Sequence, residues 1–266
     1  MTMFLPDLLP LWAMFLISCL SIAIPLWIGR QSRAFHQKHY GDVDSAAIGV
    51  VVGSLLGLLA FLLAFTFSMA GTRFEERRQA VLSEANVIGT AYLRADILPE
   101  PQRDEAKRLL KEYVDVRTGV AGTKVTRESL DEIIAKSVVL QGKFWDIAAA
   151  AARDNPTPVT GLFVQAINDV IDAHSNRVMI GMRSTIPKEI WIGLYIVAAI
   201  ALGSAGFQWG TDSHRSMYPD LALVLAFLAV LTLVSDLDNP ARGFIRTDQF
   251  PMQDLAETLR AEPAQS

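Results

Sequence analysis

Four apolar runs without a charged residue dominate the pattern of hydrophobic and polar positions along the chain. They cover residues 8–28, 46–70, 190–209 and 221–235. The first three hold at least 20 residues each, the length that an α-helix needs to cross about 30 Å of hydrocarbon. The fourth holds 15 residues between Asp220 and Asp236, and as a helix it would span only about 22 Å. The pattern predicts four transmembrane helices, of which the fourth is short.

Helical periodicity continues beyond the second run. Apolar residues at spacings of three, four and seven follow it, so the second span is predicted to continue as one helix of about 50 residues. Pro99 and Pro101 end this helix. Three more helical stripes precede the third span, over residues 106–113, 130–151 and 163–178. No strand-like alternation occurs, so we predict an all-α integral membrane protein with four transmembrane helices and a helical bundle at 71–189.

Basic residues near the span ends predict the orientation. Four spans place both termini, residues 71–189 and the tail 236–266 on one side of the membrane. That side carries eight basic residues near the span ends, namely Arg73, Arg77, Arg78, Arg177, Arg183, Lys188, Arg242 and Arg246. The other side carries four, namely Arg30, Arg33, Lys38 and Arg215. The total places the bundle and termini in the cytoplasm, although the basic residues directly after the first span favour the reverse.

Composition excludes several classes of protein. Apolar residues make up 51% of the chain and charged residues 20%, which fits a chain that is partly in lipid and partly in water. The net charge of −4 comes without a basic cluster, so nucleic-acid binding is not expected. Cys19 is the only cysteine, which excludes an internal disulfide and multi-cysteine metal sites. The first run has neither a basic segment before it nor a cleavage site after it, so we expect a retained helix rather than a signal peptide.

Few residues suggest chemistry. His36 and His39, followed by Asp42 and Asp44, offer ligands for a divalent cation on the loop after the first span, but such groups in a short polar loop are more often solvated. We therefore assign no metal site. His174 lies on an apolar stripe and is predicted to be a buried, hydrogen-bonded histidine. No cofactor-binding loop or nucleophile motif occurs, so we expect neither an enzyme nor a cofactor.

Glycines recur every four residues in the second span, at Gly49, Gly53 and Gly57. This spacing predicts close packing against another helix, and the alternative is a bare strip that faces a pore or a partner. No Asp, Glu, Lys, Arg or His residue lies inside any of the four apolar runs. This argues against a proton-coupled carrier and is compatible with a channel whose apolar pore gates by dewetting.

Several stretches resemble a known family. The Leu/Gly/Phe-rich residues 54–65, followed by Thr-Arg-Phe-Glu-Glu-Arg-Arg at 72–78, resemble the second helix of bestrophins, especially the bacterial ones. After the fourth span, residues 236–243 and 248–255 resemble the bestrophin Asn-Pro-Phe-Gly turn and its following Leu-Pro-Leu-x-x-Leu segment. Residues 84–99 look still closer to the bacterial bestrophin-like membrane proteins of unknown function.

The resemblance implies a pentamer around a central pathway for chloride or other small anions, in a bacterial plasma membrane. In bestrophins the second helix lines an apolar neck with residues one helical turn apart. Carried over through the Arg-Phe-x-Glu register, these neck positions are Gly57, Phe61 and Phe65. Their i, i+4, i+8 spacing independently places all three on one helix face. The alternative is that Phe61 and Phe65 pack against other helices or lipid.

The chain departs from bestrophins in two ways. The tandem tryptophans after the second helix are absent, and the acidic run of the animal calcium clasp is reduced to Asp236 and Asp238, which argues against calcium gating. The main alternative to a channel is a non-conducting scaffold or stress-response component whose cytoplasmic helices bind a protein partner. A membrane enzyme has no supporting residues.

Overall fold

The computed structural model describes residues 11–41, 44–119, 127–183, 185–210, 218–239 and 245–261. Among these residues there are eight α-helices, one turn of 3₁₀ helix at Ala95–Ile97 and no strand. The helices are α1 (Leu11–Tyr40), α2 (Ser45–Arg94), α3 (Gln102–Thr118), α4 (Arg127–Asp154), α5 (Pro158–Arg183), α6 (Lys188–Trp209), α7 (Tyr218–Asp238) and α8 (Phe250–Ala261). The predicted all-α class is confirmed.

Four of these helices, α1, α2, α6 and α7, are long and apolar enough to cross a membrane. Helix α7 is longer than the uncharged run 221–235 from which the fourth span was predicted. It has 21 residues, or about 32 Å of helix, because charged and polar residues extend it at both ends. The candidate span within it is Leu221–Asp238, with 18 residues, and its uncharged part has the short length that the sequence predicts.

Residue contacts divide the chain into two compact units. The membrane unit comprises Met1–Phe74 and Thr185–Arg246, and the helical unit comprises Glu75–Ser184 and Thr247–Ser266. Helix α2 runs through both units as 50 continuous residues and ends at Arg94, which confirms the long helix that the periodicity predicts.

In the membrane unit, glycines let the backbones of α1 and α6 touch. A Cβ atom on Gly206 would lie 2.2 Å from the carbonyl oxygen of Leu26. Likewise, a Cβ atom on Gly29 would lie 2.0 Å from the carbonyl oxygen of Gly203. Only a hydrogen atom fits in these gaps, which is how small residues bring membrane helices into close contact.

The glycines of α2 do not have this role within the chain. A Cβ atom on Gly53 or Gly57 would meet no atom within 4 Å, and one on Gly49 would approach only the side chain of Gln208, at 2.9 Å. The close packing expected at Gly53 is therefore not present among the described residues. The alternative interpretation, an open strip along α2, is the one that the structure supports.

Helix α1 extends beyond the first span and includes the residues that the sequence placed on a loop. His36 and His39 both lie on α1, which ends at Tyr40. The Asp44 carboxylate accepts the backbone N–H of Ala46 at 2.9 Å and so caps the start of α2. Asp42 lies outside the described residues, and those that are described contain no group of three or more His, Cys, Asp or Glu that could hold a metal ion.

The helical unit has a core formed by the end of α2 and by α3, α4 and α5, as the stripes predict. Its buried residues include Ala85, Ile88, Tyr92, Leu109, Leu110, Tyr113, Leu140, Phe144, Phe163, Ile167 and Val170. Helix α8 was not predicted, because we assigned residues 236–266 only to a tail. It buries Met252, Ala256 and Leu259 in the same core.

We predict that Gly206→Ala destabilises the membrane unit, because its methyl group would overlap the Leu26 carbonyl oxygen. The expected loss is about 1–3 kcal/mol of unfolding free energy, measured as a lower midpoint of unfolding in detergent. The matched control is Gly193→Ala on the same helix, where a Cβ atom meets nothing within 4 Å. Equal stability of the two variants would contradict the close contact.

Candidate functional site

The candidate neck residues lie on the side of α2 that faces away from its packed side. Leu59, Leu63 and Thr66 are buried on the packed side. Successive residues are about 100° apart around a helix axis. Phe61 lies two residues from each leucine, so its side chain points in nearly the opposite direction.

Gly57, Phe61 and Phe65 share this outward face, since each step of four residues turns the helix by only about 40°. Within the chain, the side chains of Phe61 and Phe65 are 67% and 56% exposed. The Cβ position of Gly57 is open. The structure thus brings the three predicted residues onto one apolar, uncovered strip.

Hydroxyl groups flank this strip at both ends. Ser54 lies one turn before Gly57, and Ser68 and Thr72 follow Phe65 on the same face. The Ser54 hydroxyl donates to the Val50 carbonyl oxygen at 2.9 Å, and the Thr72 hydroxyl donates to the Ser68 carbonyl oxygen at 3.0 Å. The face is therefore apolar at the two phenylalanine levels and polar on either side. The rotation of about 100° per residue that places the phenylalanines on one face of α2 also places these hydroxyl groups on it.

Further along α2, in the helical unit, the carboxylate of Glu84 is fully buried. Arg117 on α3 faces it with two nitrogens, since Nε lies 3.0 Å from Oε1 and Nη2 donates to Oε2 at 3.0 Å. Nη1 of Arg177 on α5 also donates to Oε2. The Tyr113 hydroxyl donates to Oε1 at 3.0 Å. One carboxylate thereby joins three helices.

Outer members complete this cluster. Nδ1 of His174 lies 3.1 Å from the Tyr113 hydroxyl oxygen and 3.8 Å from Oε1 of Glu84. The Gln141 amide donates to the same hydroxyl at 3.3 Å, and Nη2 of Arg177 donates to the Gln249 amide oxygen at 2.6 Å. The buried, hydrogen-bonded histidine that the sequence predicts is confirmed.

The charges in the cluster determine the ionisation of its members. Burial raises the pKa of Glu84, but the nearby His174 and the charges of Arg177 and Arg117 outweigh it, so the pKa lies well below its usual range. Burial, and then the Glu84 charge, raise the pKa of the Tyr113 hydroxyl. Glu84 is therefore ionised and Tyr113 neutral. This favours a structural role for the cluster, which links the helices, over a role in proton transfer.

Asp236 and Asp238, which by resemblance correspond to part of the animal calcium clasp, both accept hydrogen bonds from protein groups in the membrane unit. Asp236 accepts the backbone N–H of Ile245 at 2.9 Å. Asp238 accepts the backbone N–H of Ile186 at 2.7 Å and the indole N–H of Trp191 at 3.3 Å. The two carboxylates hold the segments next to α6 and α7. Residues 240–244 of the turn lie outside the described residues.

We predict that Glu84→Gln destabilises the protein by about 3–5 kcal/mol, because it leaves two buried guanidinium groups without their counter-charge. The measurement is chemical unfolding followed by circular dichroism. The control is Glu132→Gln, which removes one member of an exposed pair with Lys136 and should leave stability unchanged. Wild-type stability of the Glu84 variant would contradict the role of the cluster.

The lowered pKa of Glu84 also predicts a dependence on pH. Above the pKa of an unfolded Glu, about 4.3, the stabilisation by the carboxylate is fully present. It is lost as the pH falls towards the lower pKa of the folded state, because the unfolded chain takes up the proton first. The stability difference between wild type and Glu84→Gln should therefore shrink on acidification, when unfolding is measured at a series of pH values. A constant difference down to acid pH would contradict this assignment.

The comparisons with known proteins agree with this architecture. The sequence profile of the Bestrophin-like domain matches residues 19–252. Among solved structures, a variant of a bacterial bestrophin homologue from Klebsiella pneumoniae superposes with a TM-score of 0.63 at 16% identity, covering 92% of this chain and 96% of that chain. A second variant of that homologue gives a TM-score of 0.62 at 17% identity, covering 94% and 96%.

At these identities the structural likeness shows a shared fold. The comparison with curated proteins gives no match. The family match extends from α1 into α8 and so includes most of the first candidate span, the other three spans and most of the helical unit. The chain belongs to the bestrophin-like family.

Proposed function

We propose that the protein is an oligomeric, bestrophin-like channel that conducts chloride or other small anions passively. Membership of the bestrophin-like family supports a bestrophin-type anion channel at the level of the family. The neck of the pathway is lined by α2 at Gly57, Phe61 and Phe65. The observation that carries this assignment is the uncovered apolar strip on α2, in which both phenylalanine side chains are more than half exposed.

Several copies of the chain together enclose a pathway that one chain alone cannot form. Copies arranged as a ring, a pentamer by resemblance, turn the strips of α2 towards a common axis. Each phenylalanine level then becomes a ring of aromatic side chains. The edge of an aromatic ring carries the positive part of its quadrupole, so edges that face the axis favour a partly dehydrated anion over a cation.

The flanking hydroxyls fit the same pathway. At the levels of Phe61 and Phe65 an apolar constriction excludes water and gates by dewetting. At Ser54 on one side, and at Ser68 and Thr72 on the other, hydroxyl oxygens keep water in the pathway. An anion therefore loses part of its hydration over about two helical turns, or about 11 Å.

The helical unit and both termini are assigned to the cytoplasm of a bacterial cell, with the four spans in the inner membrane. We propose no protein partner for the helical unit. A scaffold whose helices bind a partner predicts no ion flux, so flux measurements separate it from a channel.

We predict that Phe61→Ala/Phe65→Ala increases chloride flux several-fold in liposomes that contain the purified protein, because smaller side chains widen and wet the constriction. The matched control is Phe67→Ala. Phe67 is a partly exposed phenylalanine on the same helix, turned about 120° from Phe61, and its removal should leave the flux unchanged.

Two results would contradict the proposal at different levels. Flux that responds to Phe67→Ala but not to the double variant would place the constriction elsewhere. Absence of flux from a correctly assembled oligomer, over a range of voltage, pH and calcium, would reject the channel and favour the scaffold. A particle mass of a monomer or dimer in detergent would exclude a ring-shaped pore.

A further inference from the structure

A buried arginine near the end of α1, in the membrane unit, has no counter-ion among the described residues. Arg33 is only 3% exposed. Its Nε and Nη1 atoms are buried and have no hydrogen-bond partner. The printed sequence has no acidic residue between positions 8 and 41, so α1 offers no carboxylate of its own. A buried charge is costly unless it is paired, which indicates that an anion from outside the described chain completes this site.

The site also contains a second unpartnered nitrogen atom and an aromatic ring. His36, one turn further along α1, also has a buried Nδ1 atom without a hydrogen-bond partner. The guanidinium carbon of Arg33 lies 5.2 Å from the centre of the Phe207 ring, and the His36 ring packs edge-on against the same ring at 6.0 Å. Two side chains with unpartnered nitrogens therefore share one aromatic neighbour on α6.

Close helix packing fixes this arrangement. A Cβ atom on Gly210, just after α6, would lie 2.7 Å from Cβ of Arg33. The Gly206 contact with Leu26 one turn earlier holds α1 and α6 together. The position of Arg33 beside Phe207 is therefore set by the backbone and not by a flexible surface.

An apolar groove adjoins the same ring. It has a volume of about 330 Å³ and is lined by Ala47, Ile48, Val51, Val52, Ser204 and Phe207. This volume falls in the range of small-ligand sites, about 300–1,000 Å³. Phe207 thus contacts the side chains of Arg33 and His36 and also lines the apolar groove, an arrangement that matches a molecule with an anionic head and a hydrocarbon chain.

The depth of the site fits a lipid. Arg33 lies five residues beyond Ile28, the last residue of the first apolar run, which is about 7.5 Å along a helix. The headgroup layer extends about 5–8 Å beyond the hydrocarbon on each side of a bilayer. Arg30 on the same helix adds positive charge, which attracts anionic lipids.

We propose that this site binds an anionic phospholipid, with its phosphate at Arg33 and His36 and one acyl chain in the groove lined by Ala47, Val51 and Phe207. The phosphate supplies the counter-ion that the described chain lacks. The site lies in the membrane unit, apart from the outward strip of α2, and its existence does not depend on ion conduction.

The experiment is lipid binding to delipidated protein in detergent, measured by native mass spectrometry and by the shift of the unfolding midpoint. The probes are dioleoyl phosphatidylglycerol, dioleoyl phosphatidylcholine and inorganic phosphate. We expect one tightly retained phosphatidylglycerol per chain and an increase in the unfolding midpoint. Phosphatidylcholine should bind about tenfold more weakly. Arg33→Gln should abolish this preference, whereas Lys38→Gln, which removes an exposed charge on the same helix, should keep it.

A second variant tests the groove and provides a measurement if Arg33→Gln does not fold. Ala47→Phe fills the groove from an exposed position and should weaken retention of phosphatidylglycerol without changing the fold. Equal binding of the two lipids, or undiminished selectivity in Arg33→Gln, would overturn the proposal. An Arg33-dependent shift with inorganic phosphate that is as large as the shift with lipid would replace it with a free-anion site.

Discussion

The buried carboxylate of Glu84 is the interaction on which the helical unit depends. It lies on α2 and contacts Arg117 on α3 and Arg177 on α5. Arg177 in turn holds Gln249 at the start of α8. A single carboxylate thus contacts two guanidinium groups and links α2, α3 and α5, and Arg177 extends the contacts to the residue just before α8. Residues 45–94 form one continuous helix, which carries both Glu84 and the phenylalanines of the outward strip.

The two sides of α2 show how the membrane unit divides its apolar surface. One side carries Leu59 and Leu63 into the core, while the other leaves Phe61 and Phe65 uncovered. Helices α1 and α6 have the opposite property, since their glycines remove all space between the backbones at Gly29 and Gly206. The same crossing places Arg33 beside Phe207. Tight packing between α1 and α6 and an open apolar surface on α2 thus occur in the same unit.

Sequence periodicity predicted most of the fold because it reports burial along one helix at a time. It located the four spans, the 50-residue α2, the bundle stripes and the shared face of Gly57, Phe61 and Phe65. It did not show which glycines pack closely, because Gly206 and Gly53 look alike until the neighbouring helix is known. The Glu84 cluster was missed for the same reason, since the residues that contact Glu84 lie 29–93 residues away from it in the chain. Helix α8 was missed because it is short and has only three buried residues, Met252, Ala256 and Leu259.

The central claim is that the outward strip of α2 lines an anion pathway, and thiol modification at defined positions tests it most directly. In a Cys19→Ser background, Phe61→Cys, Phe65→Cys and Phe67→Cys are each reconstituted and treated with a bulky methanethiosulfonate reagent during a chloride flux assay. The account predicts that modification blocks flux at the first two positions and not at the third. Complete modification of Phe61→Cys with unchanged flux would contradict it.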